Sequence, residues 1–164
     1  MSAYMTLLTP MTDQECLLAA LADLGFDGAK VEVHATPVNL VGYAGDLRAQ
    51  TANIVIRRKY VGAASNDLGF LASATGYQSL VSGYDHPNFG TGWLTQLNSR
   101  YQSHWTEKQE RLAADERRRM EDERQRVVET QRQAVHERAK KMGYEVQETR
   151  EGDAIRLVLV RRTY

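Results

Sequence analysis

Short runs in which hydrophobic and polar positions alternate fill the first half of the chain, a pattern typical of β-strands. The clearest run covers residues 52–61, where an apolar start is followed by a basic end. We predict that this strand leaves the core and carries its basic end to a surface. Further strands are predicted at residues 4–8, 30–34, 38–43, 68–72 and 77–81, of which the last two form a hairpin.

Leucine and aromatic residues that recur every three or four positions predict two helices. The first begins at Thr12, which has capping-box spacing with Glu15, and it ends before Gly25. No Pro or Gly occurs from Trp93 through Met142, so the second helix continues for about 50 residues, or about 75 Å. It starts near Thr91 with a core-facing stripe of Trp93, Leu94, Leu97, Tyr101 and Trp105.

A second hairpin is predicted after the long helix, from strands at residues 144–147 and 155–160. Together the elements predict an α+β fold, with an antiparallel sheet that carries two helices on one face. The second of these helices is expected to be very long and to project. Residues 1–106 and 139–164 are expected to form a single α+β domain, and residues 107–138 a charged helical extension that is a candidate coiled coil.

Charge is concentrated in the long helix. The chain of 164 residues contains 21 Lys+Arg and 21 Asp+Glu, a formal charge of zero that argues against a generic polyanion binder. Residues 107–141 alone carry 11 basic and 9 acidic side chains. This segment therefore needs an explanation of its own.

Three interpretations of residues 107–141 are open. A coiled-coil arm is favoured by apolar residues every seven or eight positions, although only one falls in most heptads. A solitary charged helix is favoured by the acid-first pairs Glu107–Arg111, Asp115–Arg119 and Glu137–Lys141. A nucleic-acid-binding helix is disfavoured, because a net charge of only +2 gives weak counterion release. Pairing with itself or with another protein is the preferred interpretation, and it rests on Trp105, Leu112, Met120, Val127, Val135 and Met142.

A candidate ligand site lies at the basic end of the strand predicted at residues 52–61. A loop of small residues between Gly62 and Gly69 follows it, and such loops let backbone N–H groups approach an anion, while Arg supplies donors that match phosphate. The alternative is a polar strand end with a tight turn formed by Asn66 and Asp67. No Walker or Gly-x-Gly-x-x-Gly motif is present. The predicted ligand-binding residues are Arg48, Arg57, Arg58, Lys59, Ser65, Asn66 and Asp67.

A resemblance to a known family lies in residues 31–48 and 54–70, which contain Gly42-Tyr43-Ala44-Gly45-Asp46, Arg57-Arg58-Lys59 and Ala64-Ser65-Asn66-Asp67. The chain resembles the hypothetical chloroplast reading frame thirty-five family, a small family of plastids, bacteria and phages. The likeness covers residues 2–104 and 139–162, whereas residues 107–138 depart from it. It implies a small α+β domain with no established activity, so function must come from the residues themselves.

Recognisable catalytic chemistry is missing from the sequence. The four histidines have no metal-ligand spacing with one another or with Cys16, and no serine lies in a nucleophile elbow. We therefore predict no enzyme, no cofactor and no metal. The preferred function is a non-catalytic binding module, which holds a nucleotide-like anion or an acidic partner surface and oligomerises or docks through its long helix. The alternative is a structural or adaptor protein that acts only through the helical arm, and a phage protein that blocks a host factor would fit it.

The compartment is expected to be the cytoplasm. No apolar run approaches the ~20 residues that a membrane span requires. The N-terminal residues lack the basic and apolar segments of a secretory signal. A lone cysteine, Cys16, fits a reducing environment.

Overall fold

A computed structural model describes residues 2–161 of the chain. Within that range it contains two antiparallel sheets and both long and one-turn helices. In chain order the elements are β1 (Tyr4–Leu8), α1 (Gln14–Asp23), β2 (Val31–Val41), β3 (Leu47–Ile56), α2 (Arg58–Val61), β4 (Leu68–Ser73), β5 (Gly76–Ser82), α3 (His86–Phe89), α4 (Thr91–Lys141), β6 (Tyr144–Glu151) and β7 (Ala154–Arg161).

The larger sheet has five antiparallel strands in the order β1-β5-β4-β3-β2, and β6 and β7 form a separate two-stranded sheet. This arrangement confirms the predicted α+β class. The β2–β3 and β4–β5 hairpins follow directly along the chain. The first of them closes through Gly42–Asp46, where the Gly42 N–H donates to the Asp46 carbonyl at 2.7 Å.

Each face of the five-stranded sheet carries its own hydrophobic cluster, because side chains alternate along each strand. The two clusters differ in size. On one face Ile54 and Ile56 of β3 are fully buried together with α1 and the first turns of α4. On the other face Val55 belongs to a smaller cluster with Leu40, Ala52 and Leu80. The main core is therefore a layer between the sheet and two helices, as the sequence predicts.

The start of α1 is tied to α4 by one buried hydroxyl. Tyr101 is 2% exposed, and its hydroxyl accepts the backbone N–H groups of Thr12 at 3.1 Å and Asp13 at 3.0 Å. Asp13 caps α1 by accepting the Cys16 N–H at 2.9 Å. The predicted N-cap at Thr12 is thus wrong by one residue, because the side chain that accepts an N–H of the first turn is that of Asp13.

Two strand predictions need correction. The strand predicted at residues 52–61 ends at Ile56, and the chain then turns into α2. The strands predicted at residues 30–34 and 38–43 are one strand, β2, whose register shifts between Val33 and Val38. Pro37 lies inside this irregular stretch and has no N–H to donate to the neighbouring strand.

Contacts divide the chain into a first unit that ends at Glu110 and a second unit that begins at Arg111. The second unit contains the remainder of α4 and the β6–β7 hairpin. There Glu148 accepts a hydrogen bond from Arg132 Nε at 2.6 Å and is paired with His136. The predicted domain grouped residues 139–164 with residues 1–106, whereas the contacts group the described part of residues 139–164 with α4. Residues 162–164 lie outside the described residues.

Replacing Tyr101 with Phe is expected to lower the free energy of unfolding by roughly 1–3 kcal/mol, because two backbone N–H groups lose their acceptor. Urea denaturation measures the change. Tyr84→Phe is the matched control. Tyr84 is 59% exposed, so the loss of its hydroxyl should change the free energy of unfolding by less than about 0.5 kcal/mol. Equal losses in both variants would contradict the role assigned to the Tyr101 hydroxyl.

Candidate functional site

The register of the central strands brings the ends of the predicted basic loop together. Ile56, the last residue of β3, pairs with Leu68, the first residue of β4. Arg57 and Asp67 are the next residues outward on the two strands, so they must lie side by side at the same edge. Their side chains meet there, with Arg57 Nη1 2.8 Å from Asp67 Oδ2.

Arg57 lies between two carboxylates of its own chain. Besides Asp67, it contacts Glu32 on β2 through two parallel hydrogen bonds, Nε to Oε1 at 2.9 Å and Nη2 to Oε2 at 2.6 Å. These bonds lower the pKa of Glu32 to about 2 and raise the pKa of Arg57. The guanidinium charge is therefore fully compensated within the protein.

Asp67 has a structural role in this cluster. Its side chain has no solvent exposure, and it also accepts the Val41 N–H at 2.9 Å and the Arg58 N–H at 2.7 Å. The carboxylate thus connects the end of β2, the start of α2 and the loop before β4. A buried carboxylate is tolerated only when it is paired and hydrogen-bonded, and these three donors meet that requirement.

Asn66 is held by a second buried carboxylate. The Asn66 N–H donates to Asp85 Oδ2 at 3.0 Å, and the Ser82 hydroxyl donates to the same oxygen at 2.5 Å. The Asn66 side chain donates to Ser82 Oγ at 2.9 Å and accepts the Tyr43 N–H at 3.1 Å. The loop is therefore fixed from inside, and Asn66, at 1% exposure, presents no polar group to solvent.

The remaining predicted cations also contact groups of the chain. Arg48 Nε lies 3.0 Å from Asp46 Oδ2, and this ion pair covers Gly42, where a Cβ would come within 2.6 Å of Arg48 Nε. Arg58 donates to the carbonyl of Tyr43. Lys59 Nζ lies 4.7 Å from the centre of the Tyr60 ring. A shallow depression of about 450 Å³ is lined by Val41, Arg57, Arg58, Lys59 and Asp67.

The structure brings most of the predicted ligand-binding residues into one cluster, but it gives the side chains of Arg48, Arg57, Asn66 and Asp67 partners within the chain. Ser65 is 7% exposed, and its N–H donates to the Gly62 carbonyl at 3.2 Å. Sequence reasoning missed Glu32 as the partner of Arg57, and it considered Asp85 only as a remote candidate for a general base and not as the carboxylate that holds Asn66. Alternation in residues 31–34 places Glu32 on the face opposite Val31 and Val33, but only the β2–β3 register places it beside Arg57.

Titratable side chains with catalytic potential are scattered. His34 pairs with Glu32 at 3.0 Å, His104 with Asp23 at 2.7 Å, and His136 with Glu148. Burial raises the pKa of the Cys16 thiol to about 11, so it stays protonated at neutral pH. Over residues 2–161, no group of three or more His, Cys, Asp or Glu side chains is placed to hold a metal ion.

A second candidate surface lies on α4. Large apolar side chains recur there at spacings of seven or eight residues, and all are at least 36% exposed in a segment that is otherwise mostly charged. We call this set the α4 stripe: Leu112 (50%), Met120 (67%), Val127 (47%), Val135 (36%) and Met142 (63%), which directly follows the last residue of α4. Val128, next to Val127, is also 39% exposed. Among the described helices, α4 included, none is both long and apolar enough to cross a bilayer.

Comparisons of the chain with protein-family models, with curated proteins and with solved structures found no match. The resemblance to the chloroplast reading frame family therefore stays a prediction. Function is therefore inferred from the geometry of the two candidate surfaces.

Asp67→Ala is expected to lower the free energy of unfolding by an amount near the lower end of roughly 3–5 kcal/mol. It leaves two backbone N–H groups and one contact of Arg57 without the carboxylate, while Glu32 still compensates the guanidinium. Asp46→Ala is the control, because Asp46 is 37% exposed and its ion pair contributes at most about 1 kcal/mol. Urea denaturation of both variants tests this, and a loss below about 1 kcal/mol for Asp67→Ala would contradict it.

Acid should weaken the fold through Glu32. Its pKa is about 2 in the folded chain and 4.5 when unperturbed, so the folded state binds fewer protons between these values. The stabilisation is present above pH about 4.5 and is lost as the pH falls toward about 2. Glu32→Gln removes this dependence. Urea denaturation at several pH values should show a stability difference between wild type and variant that shrinks on acidification, and a constant difference would refute it.

Proposed function

We propose that this chain is a non-catalytic assembly protein that binds another polypeptide through the α4 stripe. The observation that carries the proposal is the regular exposure of four large apolar side chains on one charged helix and of Met142 directly after it. Water contact with such side chains is unfavourable, by about 25 cal/mol for each Å² of apolar surface. Covering the stripe with a second helix would remove that cost.

The charges of α4 support its helical state but do not account for the stripe. Ion pairs three residues apart join Arg118 to Asp115 at 3.6 Å and Arg132 to Glu129 at 3.0 Å. Each such pair adds only about 0.2–0.5 kcal/mol to an exposed helix. A solitary charged helix would keep these pairs equally well with polar residues in the stripe positions, so the stripe favours a partner.

Anion binding at the strand end has weaker support. Arg48, Arg57, Arg58 and Lys59 supply four positive charges, but Arg57 is shared by Glu32 and Asp67, and Arg48 contacts Asp46. An anion that drew Arg57 away would leave the buried Asp67 carboxylate with only backbone donors. The prediction of a nucleotide-like ligand therefore depends on Arg58 and Lys59 beside the depression.

Site-specific photo-cross-linking tests the proposed function. A photoreactive amino acid replaces Met120 of the stripe or, as a control, Arg118, whose side chain is 77% exposed and lies two residues away on a different face. Each full-length variant is irradiated in its native cells and as purified protein. Position 120 is expected to give a defined cross-linked polypeptide, identified by mass spectrometry, and position 118 is not.

Absence of any cross-link from position 120 in both preparations, with helix content unchanged by circular dichroism, would overturn the proposal. Equal cross-linking from positions 118 and 120 would also overturn it, because it would show contact without use of the stripe.

A further inference from the structure

Four of the five apolar residues of the α4 stripe are placed symmetrically along the helix. Leu112 and Val135 are equally far from the midpoint between Glu123 and Arg124, and so are Met120 and Val127. A helix with this property can face an inverted copy of itself with apolar side chains opposite apolar side chains. Trp105, which continues the pattern toward the N-terminus, already packs against the core of the first unit.

Polar positions within the stripe obey the same symmetry. Glu116 lies four residues from both Leu112 and Met120, and Gln131 has the same relation to Val127 and Val135. Residues four apart share a helix face, so both polar residues lie in the stripe. Since they are also equally far from the midpoint, an inverted copy places the Gln131 amide opposite the Glu116 carboxylate.

The centre of the segment carries opposite charges. Glu123 lies three residues after Met120, and Arg124 lies three residues before Val127, so each flanks the stripe. They lie on opposite flanks, so in an inverted pair each is beside its own copy at the rim of the contact, where water and salt screen the charge. In a parallel pair in the same register, Glu116 would meet Glu116 inside the stripe, which is unfavourable.

From this symmetry we propose that the partner of the α4 stripe is a second copy of this chain, paired antiparallel about a two-fold axis between Glu123 and Arg124. The inference rests on the proposed function and names its partner. The paired segment runs from Leu112 to Val135, about 36 Å of helix. Apolar layers of Leu112 with Val135 and of Met120 with Val127 alternate with layers of Glu116 and Gln131.

The β6–β7 hairpin leaves this face of α4 accessible. Glu148 of β6 contacts Arg132 and His136, yet Val135 between them remains 36% exposed. The spacings of seven and eight residues average more than the strict seven of a left-handed coiled coil, and they also exceed two turns of a straight helix, about 7.2 residues. An antiparallel pair with this period therefore has a right-handed twist.

Cysteine cross-linking in the full-length chain tests the orientation and the register. Met120→Cys and Val127→Cys chains are mixed and oxidised, and the mixture is expected to form a disulfide dimer, because these positions share a layer. Met120→Cys alone is expected to form little, since its two copies would be separated by seven residues, about 10 Å along the axis. Native Cys16 is 2% exposed and is left in place.

The matched control mixes Asp122→Cys with Gln125→Cys. These positions are equally far from the same midpoint but lie on the opposite face of the helix, so no disulfide dimer is expected. Sedimentation adds a second readout that needs no cysteine. Met120→Glu with Val127→Glu should reduce the wild-type dimer to a monomer, whereas Gln125→Glu with Gln133→Glu adds the same charge away from the stripe and should not.

Each outcome decides between the proposals. Efficient cross-linking of Met120→Cys alone would show a parallel pair and overturn the antiparallel inference. Monomeric wild-type protein at every concentration, with no disulfide in the mixture, would overturn self-pairing altogether. In that case a photo-cross-link from position 120 to a different polypeptide would still support the proposed function, whereas its absence would remove both.

Discussion

The pairing of the buried Asp67 carboxylate with Arg57 is the interaction on which the first unit depends. Removing a carboxylate from water is costly, and here one cation and two backbone N–H groups compensate for it. Arg57 in turn holds Glu32, so three segments that are distant in sequence meet at one edge of the sheet. A cation with this task cannot also be offered to a ligand. The basic strand end therefore has a structural role, and the α4 stripe is the better candidate for a binding surface.

That other surface is continuous with the core-forming part of the same helix. At its start α4 buries Leu94, Leu97 and Tyr101, and from Leu112 onward an apolar side chain still recurs every second turn but remains exposed. Apolar residues become less frequent along this part of the helix but keep their spacing, and most of the positions between them are charged. Part of one helix therefore belongs to the core of the first unit, while the rest keeps a narrower apolar face suited to reversible contact with another chain.

Patterns within a few residues made much of the fold predictable. The bounds of β1, and a helix that continues without Pro or Gly from Trp93 through Lys141, were predictable without knowledge of distant contacts. Errors arose where a distant group contributed to the outcome, as at the end of β3, where the Arg58 N–H donates to Asp67 and the chain turns into α2. The candidate site followed the same rule. Its cations were visible in sequence, but their carboxylate partners depend on sheet register, which places Glu32 next to Arg57.

Polar residues inside an apolar helix face weaken association but restrict its geometry. Glu116 and Gln131 reduce the apolar area that α4 can bury, so a pair formed through the stripe is weaker than one with two apolar residues in every heptad. In return, an inverted alignment places each of them opposite the other, with the Gln131 amide facing the Glu116 carboxylate. A parallel alignment of the same helices would bury the two Glu116 carboxylates against each other. The features that limit affinity are thus the ones that select orientation, and this combination suits a protein that assembles reversibly in one defined arrangement.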